Sequence, residues 1–477
     1  MTAIEQIGYT KRSQTMRKPE IITATVKHVD RLPRPVLWYL LAVTVPIGFN
    51  AGSLYITTLR LFLIAVIIPL TIRLLSGAYG KLILTDFLFV AHIIWAAVAI
   101  AVNNPDQVIQ QMGSVGVEFL GAYIVGRAYI RTPETFITLS RTLVVIALCI
   151  TPFAIYETVT GQPIIVEILR KLPGVASVPI NNYDKRLGLE RVQAVFAHPI
   201  HYGLFCSMVF SVCFLALRGE ITGTKRYFFS VTIFFSGFLA LSSGALTALA
   251  LQLGLIFWAT LFRKIKARWW ILVLLFVFSY VVVDILSNRS PIKVFMSYAT
   301  FSAHNAYYRE LIFEWGMKNV WAHPIFGIGM NDWVRPDFMH NSSMDNFWLV
   351  MAVRYGIPGF LLIAVGYLTV ILRVMRRNFA GQERMILLRR AWVFTFLGLT
   401  FTLCTVHVWT NIYSFVFFMF GAGVWFIFYT PPAADADDPD GVAGNSDLTS
   451  SLQRSPVSRM TPYSRFPQYP APRHVIS

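Results

Sequence analysis

Between about residue 36 and residue 429, apolar runs long enough to cross a bilayer follow one another with only short charged breaks, and this restricts the fold more than any motif does. A span needs about 20 mostly apolar residues, or fewer where it is short or tilted. By that measure spans fall near 36–49, 59–75, 82–102, 112–126, 136–156, 192–217, 227–241, 245–262, 270–287, 346–372, 391–408 and 411–429. Such a chain folds as one all-α integral membrane domain of about 12 transmembrane helices. Composition agrees: 56% of the residues are hydrophobic and only 14% are charged.

The charged breaks are not evenly filled. Arg73 and Lys81, Arg127 and Arg131, Arg218, Lys225 and Arg226, the run RKIKAR at 263–268, and six arginines from Arg373 to Arg390 occupy every second loop. The alternate short loops, NNPDQ at 103–107 and SSG at 242–244, carry no Lys or Arg. This is the positive-inside pattern, and it predicts that both termini are cytoplasmic. It also accounts for the formal charge of +17 without nucleic acid, because the basic residues are dispersed through loops rather than gathered on one soluble face.

The domains follow. Residues 1–35 form a basic cytoplasmic tail without the apolar core and cleavage site of a secretory signal, so the first span reads as an uncleaved anchor. Residues 36–429 form the polytopic membrane domain. Residues 430–477, opening with TPPAADADDPDG, lack apolar periodicity and read as a disordered cytoplasmic tail. Cys149, Cys206, Cys213 and Cys404 lie within apolar runs and read as small core residues, not as a disulfide framework or zinc site. No internal repeat is evident.

Two connections, 157–191 and 288–345, are too long for turns, and the charge pattern puts both on the outer side. Their basic residues include Lys185, Arg186, Arg191, Arg309 and Arg335. Long loops are partly exempt from the charge rule, which is one reading of these residues. The other is that several bind an anion at the outer membrane face, with phosphate the natural match for guanidinium forks.

Four stretches in and beside these loops carry chemistry. ERVQAVFAHPIHYGLFCSM, 190–208, places His198 and His201 at the mouth of a span, where they line a cavity more readily than they bind metal, since Pro199 intervenes and no third ligand has matching spacing. SSGALTAL, 242–249, is a small-residue break suited to close helix packing. In SAHNAYYRELIFEWGMKNVWAHPIFGIGMNDW, 302–333, the segment 304–321 predicts a helix along the membrane interface, and HPIFGIG at 323–329 predicts a turn whose low bulk lets backbone approach a ligand. MHNSSMDNFWLVMAVRYGIPG, 339–359, crowds His340, Asn341, Asp345 and Asn346 against an apolar run. Asp345 there reads both as a helix N-cap and as a general base. Arg354, inside the predicted span, either contacts an anionic substrate or snorkels to the interface. Asp86 and Glu118 also fall inside predicted spans, without an assigned role.

The order of these features resembles the O-antigen ligase and polysaccharide polymerase superfamily. An arginine precedes an HP-containing span, a polar small-residue break follows, a long outer loop carries YR and then HPIFGIG, and a DNFWL span ends in GIPG. The resemblance spans roughly residues 190–360. It implies a GT-C-like membrane glycosyltransferase, with a large periplasmic loop containing short helices between helices 9 and 10. It also implies a bacterial inner-membrane location, an undecaprenyl-diphosphate-linked oligosaccharide as donor, an acceptor glycan, and no cofactor or obligatory metal. A chain-length regulator and export proteins join the lipid bilayer as implied partners.

Carried over by position, Arg191 and Arg309 are the diphosphate-binding arginines; His198, Asn346 and Arg354, read from the residues themselves, are the further substrate-binding candidates. One departure concerns the proton acceptor. Members similar to the ligases carry His-Asn in the register that Asp345-Asn346 occupies here, whereas His340-Asn341 lies five residues upstream. Either Asp345 replaces the histidine or His340 reaches the site from the loop; Glu310 is the third catalytic candidate. The departure favours polymerisation of exopolysaccharide or O-antigen repeat units over ligation to lipid A-core. A transporter or flippase for polysaccharide or lipid-linked sugar is the competing class, and it would show related halves with broken helices in place of polar residues concentrated in two unequal loops.

Overall fold

Lipid offers backbone groups no hydrogen-bond partners, so apolar runs that cross it must close their bonds internally, as helices. The computed structural model describes residues 31–51, 54–288, 291, 294 and 303–430. The expected tails at 1–35 and 430–477 lie almost wholly outside the described residues, as does the loop segment 295–302.

In chain order the helices are α1 (Arg34–Thr44), α2 (Thr58–Leu75), α3 (Leu84–Asn103), α4 (Pro105–Tyr129), α5 (Pro133–Thr160), α6 (Ile164–Arg170), α7 (Pro199–Ala216), α8 (Gly223–Phe238), α9 (Ser243–Leu261), α10 (Arg268–Leu286), α11 (Ala303–Ala322), α12 (Phe347–Arg376), α13 (Glu383–Leu403) and α14 (Thr410–Ile427). Among the described residues ten of these are long and apolar enough to cross a membrane, namely all but α1, α6, α8 and α11. The expectation of about 12 therefore narrows. The first and seventh expected spans are helices of 11 and 16 residues, shorter than the usual span length.

Two other boundaries shift for local reasons. The span expected from 192 begins at Pro199, because proline suits the first turn of a helix and His198 caps it. The all-α expectation also omits a hairpin, Gly48–Ala51 paired antiparallel with Leu54–Thr57, whose Gly48 bridges to Ala176 and ties down the first long loop.

The two ends of the bundle differ in charge. At one end Arg131 donates to the carbonyl of Ala78, Arg141 pairs with Glu220 at 2.8 Å, and Arg384 pairs with both Glu134 and Glu220 at 3.2 Å. This basic end gathers the loops that the sequence singled out for Lys and Arg. Asp86 lies there too: it caps α3 through the Ile83 N–H, accepts from the Tyr123 hydroxyl at 2.6 Å and pairs with Arg127 at 3.0 Å. Glu118 pairs with Arg60 at 2.8 Å in a π-helical stretch of α4, Met112–Gly121. Both intramembrane carboxylates are thus held in ion pairs, as burial requires.

The opposite end carries the long loops, and α12 organises it. Pro358 lacks the N–H that would bond the carbonyl of Arg354, and the helix breaks at Gly356, where φ is 72°. The HPIFGIG turn repairs the break: Gly329 N–H donates to Arg354 O at 3.0 Å and Ile328 N–H to Val353 O at 2.8 Å, while Ile357 N–H donates to Pro324 O at 2.8 Å. The turn is pinned from its other side by α3, where Asn104 accepts from Met330 N–H at 2.8 Å and Asn103 donates to the Gly327 carbonyl at 3.3 Å. The low bulk of GIG therefore serves the approach of backbone to a broken helix, where the sequence predicted the approach of a ligand. A Cβ at Gly327 would sit 2.6 Å from the Arg354 carbonyl, and one at Gly356 would collide with the Ile325 carbonyl.

Gly356→Ala should consequently destabilise the folded protein by about 1–3 kcal/mol or prevent its accumulation. Gly254→Ala, at a position with open space and ordinary backbone, should be close to neutral. Thermal unfolding of the detergent-purified variants checks both.

Candidate active site

The site forms where the two long loops meet the starts of α7, α9 and α12. The first loop supplies Tyr183, Arg186 and Arg191. Arg191 is held over the Tyr183 ring at 5.0 Å, and the same ring meets His198 edge-on at 4.8 Å. Arg186 donates to the carbonyl of Leu241 at 2.7 Å, which fastens the loop to the turn before α9.

Beneath this loop lies Glu157, buried in the last turn of α5. Its carboxylate accepts from the backbone N–H groups of Gln193 at 2.7 Å and Ala194 at 2.9 Å. Ala194 has φ of 53°, a left-handed conformation that costs energy for any residue with a Cβ. Two charge-assisted bonds from Glu157 hold that turn, and with it the chain between Arg191 and His198.

The second loop supplies Arg309 and Asp345. Arg309 lies on α11 and donates through Nη2 to the Ser243 hydroxyl at 3.3 Å, so the SSG break both packs closely, at Gly244 against Val406, and positions a guanidinium. Asp345 stands immediately before α12. The N-cap role expected for it belongs to its neighbour: Asn346 accepts from Leu349 N–H at 3.0 Å. The segment is anchored to the α13–α14 connection by Phe347 N–H donating to Val406 O at 3.1 Å. Freed from capping, the Asp345 carboxylate interacts with Arg309 and Arg191.

Electrostatics define this cluster. Burial pushes the Asp345 carboxyl up from its ordinary value, against the opposing attraction of Arg309 and Arg191. Burial likewise pulls Arg191 down to about 10, with Arg186 adding to the effect and Tyr183 and Asp345 opposing it. Arg309 is lowered by burial, opposed by Asp345. His198 falls to about 3 through burial and the charges of Arg191 and Arg186. It is therefore neutral, and since its Nδ1 accepts from Ile200 N–H at 3.0 Å its proton sits on Nε2. Arg191 Nε and Arg309 Nη1 are buried without a hydrogen-bond partner among the described residues. Two guanidinium groups act on the Asp345 carboxylate, a third, Arg186, acts on both of them, and donors are left over, so the cluster is short of negative charge and of acceptors.

The remaining predicted residues separate from it. His340 is exposed, and no hydrogen bond among the described residues ties its ring to the cluster. Glu310 is half-buried on α11, about 100° round the helix from Arg309. Arg354 turns inward, bonding the Tyr355 hydroxyl and acting on His407, which burial and then Arg354 lower to about 3. His407 and Trp409 escaped the sequence reading altogether, although Trp409 packs 5.6 Å from His198 and 4.1 Å from His201.

Two cavities adjoin the cluster. One, of about 730 Å³, is lined almost wholly by apolar side chains of α10, α11, α12 and α13, and includes Asn346 beside Asp345. The other, of about 440 Å³, is polar and includes Glu157 and Arg191.

Residues 228–364 match the O-antigen ligase family model. The match supports the resemblance to the O-antigen ligase and polysaccharide polymerase superfamily that the motif order carries, and with it a membrane enzyme of glycosyltransferase type. No curated protein matches the chain. The O-antigen ligase stretch runs from within α8 to within α12, so it contains Arg309, Asp345, Asn346 and Arg354, whereas Arg191 and His198 lie before it.

Glu157→Gln tests the support of the loop. Glutamine offers one acceptor where two N–H groups need one each, so a loss of about 1–3 kcal/mol in unfolding free energy is expected. Chemical unfolding of the detergent-purified variant reads that loss.

Proposed function

We propose that the protein is an inner-membrane glycosyltransferase that moves a glycan from undecaprenyl diphosphate to an acceptor sugar on the periplasmic face, polymerising repeat units of an exopolysaccharide or O antigen. The observation that carries this reading is the placement of Asp345 beside Arg191 and Arg309, one residue along the chain from Asn346, which lines an apolar cavity. A polyprenyl diphosphate is the ligand whose two halves need both surroundings. Its diphosphate takes the unpartnered guanidinium donors, and the first part of its chain takes the apolar cavity. Access from the bilayer is supported by α10, which borders that cavity and has no buried residue. The gathering of Lys and Arg at the other end of the bundle supports a periplasmic site.

In the proposed step an acceptor hydroxyl attacks the anomeric carbon of the donor glycan. The bond from that carbon to the phosphate oxygen breaks, undecaprenyl diphosphate leaves with the electron pair, and the hydroxyl proton passes to Asp345. Charge growing on the leaving oxygen is stabilised by Arg191 and Arg309, so little acid catalysis is needed. Neutral His198 adds an Nε2–H donor without adding charge. Ligation to lipid A-core is the alternative outcome, and the aspartate in the register where ligases carry histidine favours polymerisation.

The test incubates the purified protein in liposomes with its lipid-linked repeat unit, with and without lipid A-core. Chains lengthening in the absence of lipid A-core support the polymerase, whereas extension of lipid A-core alone identifies a ligase. Arg191→Ala and Arg309→Ala should each lower transfer by about 100-fold or more while the protein remains folded. Unchanged rates in both would remove the assigned site.

The pH profile supplies a separate check. Because the Asp345 carboxyl is held above its ordinary range, it takes up a proton at a higher pH than a free aspartate, whose pKa is ~3.9. Transfer should therefore decline on the acid side at a pH above that value. Asp345→Asn should abolish transfer without lowering affinity for undecaprenyl diphosphate.

A further inference from the structure

The polar cavity of about 440 Å³ shares Arg191 with the cluster but faces away from the apolar one, and a lipid diphosphate leaves it without a use. Its walls are of two kinds. Glu157, Gln193 and Asn181 are committed to the scaffold: Gln193 donates to the carbonyls of Pro179 and Phe196 at 2.9 and 3.1 Å, and Asn181 donates to Ala197 O at 2.8 Å. These bonds make the floor a fixed shape. Asn182 and Asp184 line the cavity with no hydrogen bond to the protein among the described residues, and Arg191 Nε lacks a partner beside them.

An amide, a carboxylate and a guanidinium converging on a preformed hollow are suited to a ligand dense in hydroxyl groups, each of which both donates and accepts. The same walls exclude other chemistries. A lipid chain finds too little apolar surface, and for an anion the three carboxyl groups of Asp184, Glu190 and Glu157 outnumber the two cations Lys185 and Arg191, of which Lys185 is already paired with Glu190 at 3.1 Å. Position adds a further point: Arg191 lines this cavity and also feels the charge of Asp345, so one guanidinium links the cavity to the cluster.

We propose that the cavity lined by Asn182, Asp184 and Arg191 is a glycan subsite that binds a sugar unit by its hydroxyl groups. The subsite rests on the glycosyltransferase reading for its purpose but not for its chemistry. The sugar comes either from the acceptor or from the donor glycan, and kinetics separate the two sources.

The experiment uses the full-length protein in nanodiscs, with an oligosaccharide released by mild acid from the cell's own surface polysaccharide as the probe. Saturation-transfer NMR should detect the oligosaccharide on the wild-type protein. Asn182→Trp, which fills the cavity, and Asp184→Ala, which removes an acceptor without adding bulk, should each cut that signal at least several-fold. Size-exclusion profile and melting temperature should stay as in the wild type.

Affinity for sugar-free undecaprenyl diphosphate should be unchanged in Asn182→Trp, since Asn182 lines the polar cavity and not the apolar one; Asp184→Ala also removes a charge that acts on Arg186 and is read by the oligosaccharide signal alone. In the transfer assay, a raised KM for acceptor alone assigns the subsite to the acceptor, and a raised KM for lipid-linked donor assigns it to the donor glycan. Undiminished oligosaccharide signals in both folded variants would overturn the subsite. If instead wild-type protein binds the oligosaccharide but not undecaprenyl diphosphate, the subsite stands and the glycosyltransferase reading falls.

Discussion

Pro358 has no N–H to give the carbonyl of Arg354, and inside a membrane domain that carbonyl must find another donor. Gly329 provides it, and the arrangement of the loop end follows from that exchange. For the HPIFGIG turn to lie in the break, the loop after α11 must return to α12, which brings α11 alongside α12 and delivers Arg309 to the level of Asp345. The turn must also be narrow on both sides, because Asn103 and Asn104 of α3 grip it from behind. A helix break that would be a defect in isolation thus fixes the position of the second long loop relative to α3 and α12. The strain is local, at Gly356, Gly327 and Gly329, where positive φ values are tolerated.

Against that rigid frame the arginine cluster stands out for its excess of positive charge. The carboxylates within the spans each have a cation beside them: Asp86 pairs with Arg127 and Glu118 with Arg60. Around Asp345 the arginines outnumber carboxylates, and their buried N–H groups lack acceptors. Removing such groups from water is costly unless something replaces the lost hydrogen bonds. A protein that holds Arg191 through a buried glutamate clamp and a left-handed alanine is maintaining that imbalance structurally. An arriving diphosphate would relieve it.

Much of this was legible in the sequence, and what was not has physical causes. The membrane class and the alternation of charge between the two kinds of loop follow from hydropathy and Lys/Arg counts, which act locally. Arg191 and Arg309 were marked by motifs, the first before the O-antigen ligase stretch and the second within it. The meaning of GIG was not legible, because small residues invite close approach by a ligand or by another piece of backbone, and only the broken helix decides between them. Asp345 and Asn346 could not be told apart as caps, since both side chains suit that position. Glu157, Tyr183 and His407 were invisible because their partners lie on other helices or far along the loop, and neither spacing nor composition marks them. The hairpin at 48–57 was hidden by its length, four residues a strand.

The exchange of histidine for aspartate in this register has a chemical logic in the proposed reaction. A histidine that takes the acceptor proton becomes a cation, and here it would join three guanidinium groups in a poorly hydrated space. An aspartate that takes the same proton becomes neutral. Before substrate arrives it also balances part of the arginine charge, which lowers the repulsion among Arg186, Arg191 and Arg309. Binding of the diphosphate then changes its surroundings: the arginines turn to the phosphate oxygens, negative charge comes close to the carboxylate, and its affinity for a proton rises. Asp345 would be the weakest base in the empty site and a stronger one once the donor is bound, so proton abstraction is coupled to donor occupancy by charge alone.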